Sequence, residues 1–300
     1  MVAGMSIVIN TPNGNIGRRL ALQLLEAGES LTVISRSAAK AAPLAERGAR
    51  VVEGSIEDPS TLRAAFEGAR ALFWLTPSNL QPGFLEWAKG TAERAASVAA
   101  ASKISHVVVL SSVGAQSGPG VGPVSSLGPV EKAFEAEIPN VIALRPGFFM
   151  ENYLRDLGSI AAMGKVFSPA DADRAVPVVA TEDIARRAAQ LLRDTSWRGH
   201  QALGVHGPYD LTPREAVRIL SDALERPIEY VQVDYDQALG AMQQAGLPAF
   251  AAQLYVEMYR ALNDGRMAPA EPRDAASTTQ TDLTSFAQRV LRPQLAQLSS

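Results

Sequence analysis

The sequence predicts an α/β protein: a doubly wound parallel sheet with a smaller, partly interleaved C-terminal α/β lobe. Three observations carry this expectation. Short β-branched runs alternate with amphipathic helical stretches through the first half of the chain. Those runs are apolar throughout rather than at every second position, the pattern of strands covered on both faces. After residue 149 the alternation breaks down and helices dominate, which sets a second, smaller lobe apart.

Taken in order, Ser6 to Ile9 reads as a buried strand, followed by a loop and a helix. Leu20, Leu24 and Leu25 give that helix its apolar stripe, and Gly28 sits where a C-cap glycine belongs. Leu31 to Ser35 is a second strand, 38–47 a helix despite Pro43, and 50–52 a third strand. Asp58-Pro59 supplies an N-cap and a first-turn proline to a helix that turns Leu62, Ala65 and Phe66 inward. A fourth strand at 71–75, an alanine-rich helix at 84–102 and a fifth strand at 107–110 continue the pattern.

Residues 114–129 are rich in Gly, Pro and Ser and are expected to form neither helix nor strand. The alternatives are a mobile lid and a plain surface loop. A place after the fifth strand, at the edge where such sheets bind ligands, favours the lid. A helix at 130–137 and a sixth strand at 141–144 complete the first half. Beyond it, Thr181-Glu182-Asp183 opens a helix through Leu192. Residues 212–224 form another, with Thr212 as cap, Pro213 in the first turn and Glu215 at capping-box spacing. A strand at 228–233, two helices between Tyr235 and Leu262, a polar connector at 266–281 and a final helix from Asp282 follow. The expected division is a nucleotide domain at 1–150 and a substrate lobe at 151–300, with about 176–195 returning to the first.

Composition narrows the function. In 300 residues, 47% are hydrophobic and 20% charged, enough for a large core and too few charges for disorder. A net charge of -3 argues against nucleic acid as a partner. With no cysteine, disulfides, thiolate metal sites and cysteine nucleophiles are excluded. The first six residues lack the basic flank of a signal peptide, and every apolar run is far too short for a membrane span. A cytoplasmic protein without a membrane partner is expected, acting on a small molecule. Nothing in the sequence specifies an oligomeric state.

The loop after the first strand is Asn10-Thr11-Pro12-Asn13-Gly14-Asn15-Ile16-Gly17. A strand ending in Gly-x-x-Gly at a helix start is a phosphate cradle, as in Rossmann domains. Gly14 allows the backbone close to a pyrophosphate, Gly17 lets helix and strand pack, and free amides at the helix N-terminus bind the anion. The usual first glycine is replaced by Thr11, and Pro12 removes one amide donor. Asn13 and Asn15 can return donors through their side chains. The second strand ends in Ser35-Arg36, with Lys40 one helical turn on and no acidic residue from 31 to 40. An acidic residue there would hold the ribose of NAD; Arg36 and Lys40 favour the 2′-phosphate of NADP(H).

With these residues in hand, the chain resembles the NmrA-like group of atypical short-chain dehydrogenase/reductases along nearly its whole length. The resemblance rests on Asn13-Gly14-Asn15-Ile16-Gly17-Arg18, Val51-Val52-Glu53-Gly54-Ser55 and the 108–114 run Val-Val-Leu-Ser-Ser-Val-Gly. Leu144-Arg145-Pro146-Gly147-Phe148-Phe149-Met150-Glu151-Asn152 is the most telling stretch. Gly207-Pro208, Thr212, Glu215 and Arg226-Pro227-Ile228 look like the group's C-terminal lobe. The resemblance implies an NADP(H)-binding domain and a small lobe enclosing a substrate cleft. Ser55 and Ile56 would border the adenine, although Ser55 stands where the group often has aspartate. Thr76 and Pro77 would lie near the nicotinamide half. Ser111 and the Pro146-Gly147-Phe148 run would complete the cofactor wall, with Phe149 and Asn152 in the substrate pocket.

Typical short-chain dehydrogenases protonate a carbonyl with a tyrosine tuned by a lysine four residues on. That pair should precede the helix at 130–137, where residues 122–129 contain neither, and Lys132 is out of register. Hydride addition to a simple ketone makes a strongly basic alkoxide and calls for a positioned acid. A quinone or conjugated carbonyl gives a delocalised, weakly basic oxyanion, for which a hydrogen bond from Ser111, Ser112 or a backbone amide suffices. Ser112 is the candidate catalytic donor. The expected function is therefore NADPH-dependent reduction of such an acceptor without a Tyr/Lys pair. An NADP(H)-sensing regulator without catalysis and a non-redox tailoring enzyme (cyclase or dehydratase) are the alternatives.

The remaining candidates read as structural. Of His106, His200 and His206, the last two are placed to share a strand face. With Asp210 the only carboxylate close to that pair, no metal site is expected. No Gly-x-Ser-x-Gly surrounds Ser111-Ser112. Phe148 and Phe149 suit a core or a pocket wall, the wall favoured by the polar Glu151 and Asn152 that follow. Glu131 and Lys132 read as a solvated helix face.

Overall fold

The structure is a computed structural model that describes residues 6–79 and 81–298. Residues 1–5, on which most of the signal-peptide expectation rests, lie outside the described residues. The chain opens as β1 (Ser6–Ile9), α1 (Asn15–Glu26), β2 (Leu31–Ser35), α2 (Ala38–Ala45), β3 (Arg50–Glu53) and α3 (Pro59–Phe66). It continues through β4 (Ala69–Leu75), α4 (Phe84–Ala101), β5 (His106–Leu110), α5 (Leu127–Glu137), β6 (Asn140–Pro146) and β7 (Phe148–Phe149). Next come α6 (Leu157–Met163), β8 (Lys165–Ser168), β9 (Val176–Val179), α7 (Thr181–Arg193), β10 (Gly199–Val205) and β11 (Asp210–Leu211). The last elements are α8 (Pro213–Ala223), β12 (Glu229–Gln232), α9 (Tyr235–Gln244), α10 (Ala249–Asn263), α11 (Leu283–Phe286) and α12 (Arg292–Leu298).

Seven strands form the main sheet in the order β10-β6-β5-β4-β1-β2-β3, all parallel. The chain winds outward from β1 in both directions, so β1 and β4 flank the point where strand order reverses. Helices cover both faces, as the continuous apolar strands require. One core joins Ile7, Ile9, Val33 and Phe73 to Leu20 and Leu24 of α1 and Ile184 and Leu192 of α7. The other packs Val8, Leu72 and Trp74 against Leu62 and Phe66 of α3, the alanine face of α4 and Phe134 of α5. Small side chains along α4 (Ala88, Ala92, Ala95, Ala96 and Ala99) let that helix sit close to the sheet.

The seventh strand, β10, was not legible as a strand. Its outer residues Gly199, His200 and Gln201 are exposed, so only its second half carries an apolar signal. Parallel pairing along β6, from Gly199 opposite Asn140 to Val205 opposite Pro146, overrides that weak propensity. The smaller lobe has its own core of Met150, Tyr153, Ile160, Val166, Val217, Leu220, Phe286 and Leu291. Two short sheets frame it, β11-β9-β7 and β12-β8. The helix start at Thr212 has the full capping box with Glu215, and Asp282 caps α11 through the Ser285 amide.

Residues 114–129 form neither a lid nor a plain surface loop. They make 3₁₀ turns at Ala115–Ser117 and Gly122–Ser126, after which α5 begins at Leu127. Ala115, Val121 and Val124 are buried against Ala261 of α10 and Met267. Gly122 has φ +62°, and a Cβ there would lie 2.2 Å from the Leu254 carbonyl. Composition suggested mobility; a small fourth core holds the segment down instead.

Candidate cofactor and active site

The carboxyl ends of β1 and β4 are tied by one side chain. Asn10, almost fully buried, donates to the Leu75 carbonyl at 2.9 Å and accepts from the Leu75 amide at 3.0 Å. It continues the β1–β4 ladder beyond the strand end, and the loop therefore leaves the sheet from a fixed point. The loop closes with a hydrogen bond from the Gly14 amide to the Thr11 carbonyl. Gly17 is the residue this turn cannot do without: a Cβ there would stand 1.9 Å from the Thr11 carbonyl oxygen. Gly14 is exposed, and its nearest neighbour to a Cβ is 3.9 Å away, so the space above it is open.

That open face is electropositive by construction. The first backbone bond of α1 is from Arg18 to Gly14, which leaves the amides of Asn15, Ile16 and Gly17 pointing outward. No side chain caps this end and no acidic residue occupies its first turn. An anion is the natural partner for such an end. The Thr11 and Thr76 hydroxyls, one beyond β1 and one beyond β4, are buried without a hydrogen-bond partner. Two unpartnered hydroxyls and an uncapped helix at a strand-order switch fit a bound dinucleotide.

At the far end of the cradle, Asn13 donates to the Ser35 hydroxyl at 3.2 Å, and Ser35 donates on to the Ser37 carbonyl at 2.8 Å. Ser37 caps α2 through the Lys40 amide. Arg36 and Lys40 are both exposed beside this web. The Glu53 carboxylate reaches over from β3 to accept from the Ala38 amide at 3.1 Å. Sequence reasoning missed Glu53 because it searched only the end of β2, although Glu53 faces Ser35 across the β2–β3 ladder. Ser55 turns its hydroxyl onto the Glu57 amide of its own loop, while Ile56 is buried under α3 and α4. Pro12 and Ile16 are also buried, so of the cradle residues Asn13, Gly14 and Asn15 are the exposed ones.

Ser111 and Ser112 part company at the end of β5. Ser111 is buried and donates its hydroxyl to Glu131, so its proton is already committed. Glu131 is only 5% exposed and holds Arg145 through two hydrogen bonds, at 2.6 and 3.0 Å. Arg145 in turn reaches Glu271 at 2.6 Å. Its guanidinium is held above its usual range by the hydrogen bonds and charge of Glu131, against desolvation. This corrects two expectations: Glu131 is not part of a solvated face, and Ser111 has no proton to offer a ligand. The clue was present, because Val130, Glu131 and Phe134 share one face of α5. Ser112 is half-buried, with its hydroxyl in no side-chain hydrogen bond among the described residues.

The Pro146–Asn152 run crosses between the lobes. The Gly147 amide donates to the Val205 carbonyl at 3.3 Å, and Phe148 and Phe149 pair with Val178 and Val179. Alternation sends Phe148 to the small-lobe core, 5.5 Å from the Tyr153 ring, and Phe149 to the main core. Glu151 is buried and engaged: it accepts from the Thr181 amide and hydroxyl and so caps α7 from a distance. Asn152 is half-buried. Nearby, burial lifts the Asp156 carboxyl to about 6, opposed by the Arg155 charge. Burial also raises the phenols of Tyr153, Tyr230 and Tyr259, with Asp156 adding a like-charge effect. Sequence reasoning missed this tyrosine-lined region, since its members come from three separate segments: the 3₁₀ turn Met150–Asp156, β12 and α10.

The histidines stand apart from it. His200 donates to the Ile138 carbonyl at 2.9 Å, and His106 packs edge-on to Trp197. His206 lies beyond the end of β10, buried beneath residues 277–279, where desolvation and then Arg273 lower its pKa. The His206 ring lies over Gly204, two residues back on β10.

A parallel sheet with an uncapped phosphate loop at its switch point defines the class: a Rossmann-type dinucleotide-binding protein. The chain matches the NAD(P)H-binding family over residues 12–195 and belongs to it. It is 32% identical to an NAD(P)H azoreductase of Xenophilus azovorans, over 84% of this chain and 86% of that protein. In fold it is similar to an NADPH-dependent quinone oxidoreductase from Escherichia coli solved with NADPH. That match has a TM-score of 0.81 at 19% identity, covering 95% of this chain and 99% of that one. NmrA, a negative transcriptional regulator, matches with a TM-score of 0.77 at 19% identity, covering 99% and 98%. The chain is thus an NAD(P)H-binding oxidoreductase with the fold its motifs resembled. Among the described residues, no helix is long and apolar enough to cross a membrane.

Proposed function

We propose that the protein catalyses NADPH-dependent two-electron reduction of an extended, electron-poor acceptor: a quinone, a conjugated carbonyl or an azo compound. The observation that carries this reading is the makeup of the proton-donor position. Residues 114–131 contain no tyrosine and no lysine, and Ser111 is committed to Glu131. Ser112 remains as a side-chain donor at the end of β5. A neutral hydroxyl stabilises a delocalised oxyanion or anilide well and a localised alkoxide poorly. The 2′-phosphate falls to Arg36 and Lys40, the pyrophosphate to the amides of residues 13–17 with Asn13 and Asn15. Thr76, Pro77 and the Pro146–Phe148 run border the nicotinamide half, and Phe149 and Asn152 the acceptor.

When bound, the coenzyme supplies the hydride. Ser112 holds the negative charge that develops on the acceptor, and the balancing proton comes from water. The Xenophilus relative is named an azoreductase, which supports including azo compounds among the acceptors, and the fold is similar to that of a quinone oxidoreductase. The test is anaerobic NADPH oxidation with quinones, azo dyes and conjugated ketones, and with saturated ketones as the contrast. Turnover with the conjugated acceptors and little with saturated ketones is expected. Tight NADPH binding with no turnover on any acceptor overturns the reading and leaves a coenzyme sensor. A product differing from its substrate only by loss of water would indicate a non-redox enzyme.

A further inference from the structure

The β2–β3 edge carries two opposite charges within one coenzyme subsite. Arg36 follows β2 directly, is exposed, and enters no ion pair or hydrogen bond among the described residues. Glu53 ends β3, opposite Ser35 in the ladder, and its Oε1 accepts from the Ala38 amide at 3.1 Å. Ala38 is the first residue of the eight-residue α2, so the end of β3 meets the start of that helix. The carboxylate therefore occupies the amide that a phosphate at this position would otherwise use, and adds a like charge beside it. It is also an acceptor for which a ribose 2′-hydroxyl is the matching donor.

We infer that Glu53 is a specificity-determining residue that opens the site to NADH as well as NADPH. Arg36 attracts the 2′-phosphate, while Glu53 opposes it and rewards a free 2′-hydroxyl. The acidic residue that discriminates between coenzymes sits here at the end of the third strand instead of the second. The inference rests on the proposed placement of the adenosine ribose between these two strands.

The experiment measures dissociation constants of NADH and NADPH by fluorescence for the wild type, Glu53→Gln and Glu53→Ala. 5′-ADP and 2′,5′-ADP serve as competitors that differ only in the 2′-phosphate. The wild type should bind the two coenzymes within about tenfold of each other, a difference of about 1.4 kcal/mol or less. Glu53→Gln keeps an acceptor for Ala38 and removes only the charge. It should raise the NADPH-to-NADH affinity ratio by about tenfold, with the same trend for 2′,5′-ADP over 5′-ADP. Glu53→Ala should show the same direction with weaker NADH binding. Both coenzymes bound, with ratios unchanged within twofold in both variants, overturns the role of Glu53 and leaves the coenzyme reading standing. Failure of the wild type to bind either nucleotide overturns both.

Discussion

At the scale of single residues, the buried charges decide the most. Arg145 carries three hydrogen bonds to two carboxylates, and Glu131 would be left charged and almost solvent-free without it. Arg145→Ala should therefore cost about 3–5 kcal/mol in denaturant unfolding, whereas Ser111→Ala removes one hydrogen bond and should cost about 1–2 kcal/mol. Asp156 supplies a pH signature. Its carboxyl sits at about 6 in the folded protein against an ordinary 3.8. The folded state thus holds a proton that the unfolded chain releases, and stability falls as pH rises between those two values. Asp156→Asn should abolish that slope and be more stable than the wild type at pH 7, by roughly 1–2 kcal/mol after solvent screening. Equal stability of the two proteins at pH 7 would contradict the burial of this group.

At the scale of elements, the decisive junction is β1–loop–α1. Gly17→Ala would drive a methyl into the Thr11 carbonyl, which Asn10 and β1 hold in place. The helix must tilt or the loop must open. We expect a loss of about 1–3 kcal/mol in stability and at least tenfold weaker NADPH binding by fluorescence titration. This junction was legible from residues 6–28 alone, because strand, glycines and helix stripe are all local signals. Elements fixed by distant partners were not. β10 shows a weak strand pattern and gains its form from β6, while α7 borrows its cap from Glu151, thirty positions earlier. The candidate site divides the same way. Arg36, Ser112 and the loop could be named from sequence, but Glu53 and the engagement of Ser111 depend on which strand or helix lies alongside.

At the scale of the whole molecule, residues 115–127 are held by α10, far along the chain. Limited proteolysis without ligand should leave this Gly- and Pro-rich segment uncut until the protein unfolds globally; rapid cleavage there in the native state would show that the small core does not hold. The connector at 266–281, read from sequence as a polar link, has more to do than join two helices. Residues 266 and 268 accept hydrogen bonds from Ser117 and Gln116, Glu271 pairs with Arg145, and Arg273 reaches Gly207 and Asp210. The Ser277 carbonyl accepts from His206, and the Thr281 amide donates to the buried Asp183. During synthesis, then, the nucleotide half emerges from the ribosome with Arg145 half-matched and Asp183 lacking an amide donor. Both are completed only after some 270–280 residues have been made. A nascent chain stalled before that point keeps its phosphate loop but lacks the clasp, and in such a chain coenzyme binding should precede the locking of the acceptor side.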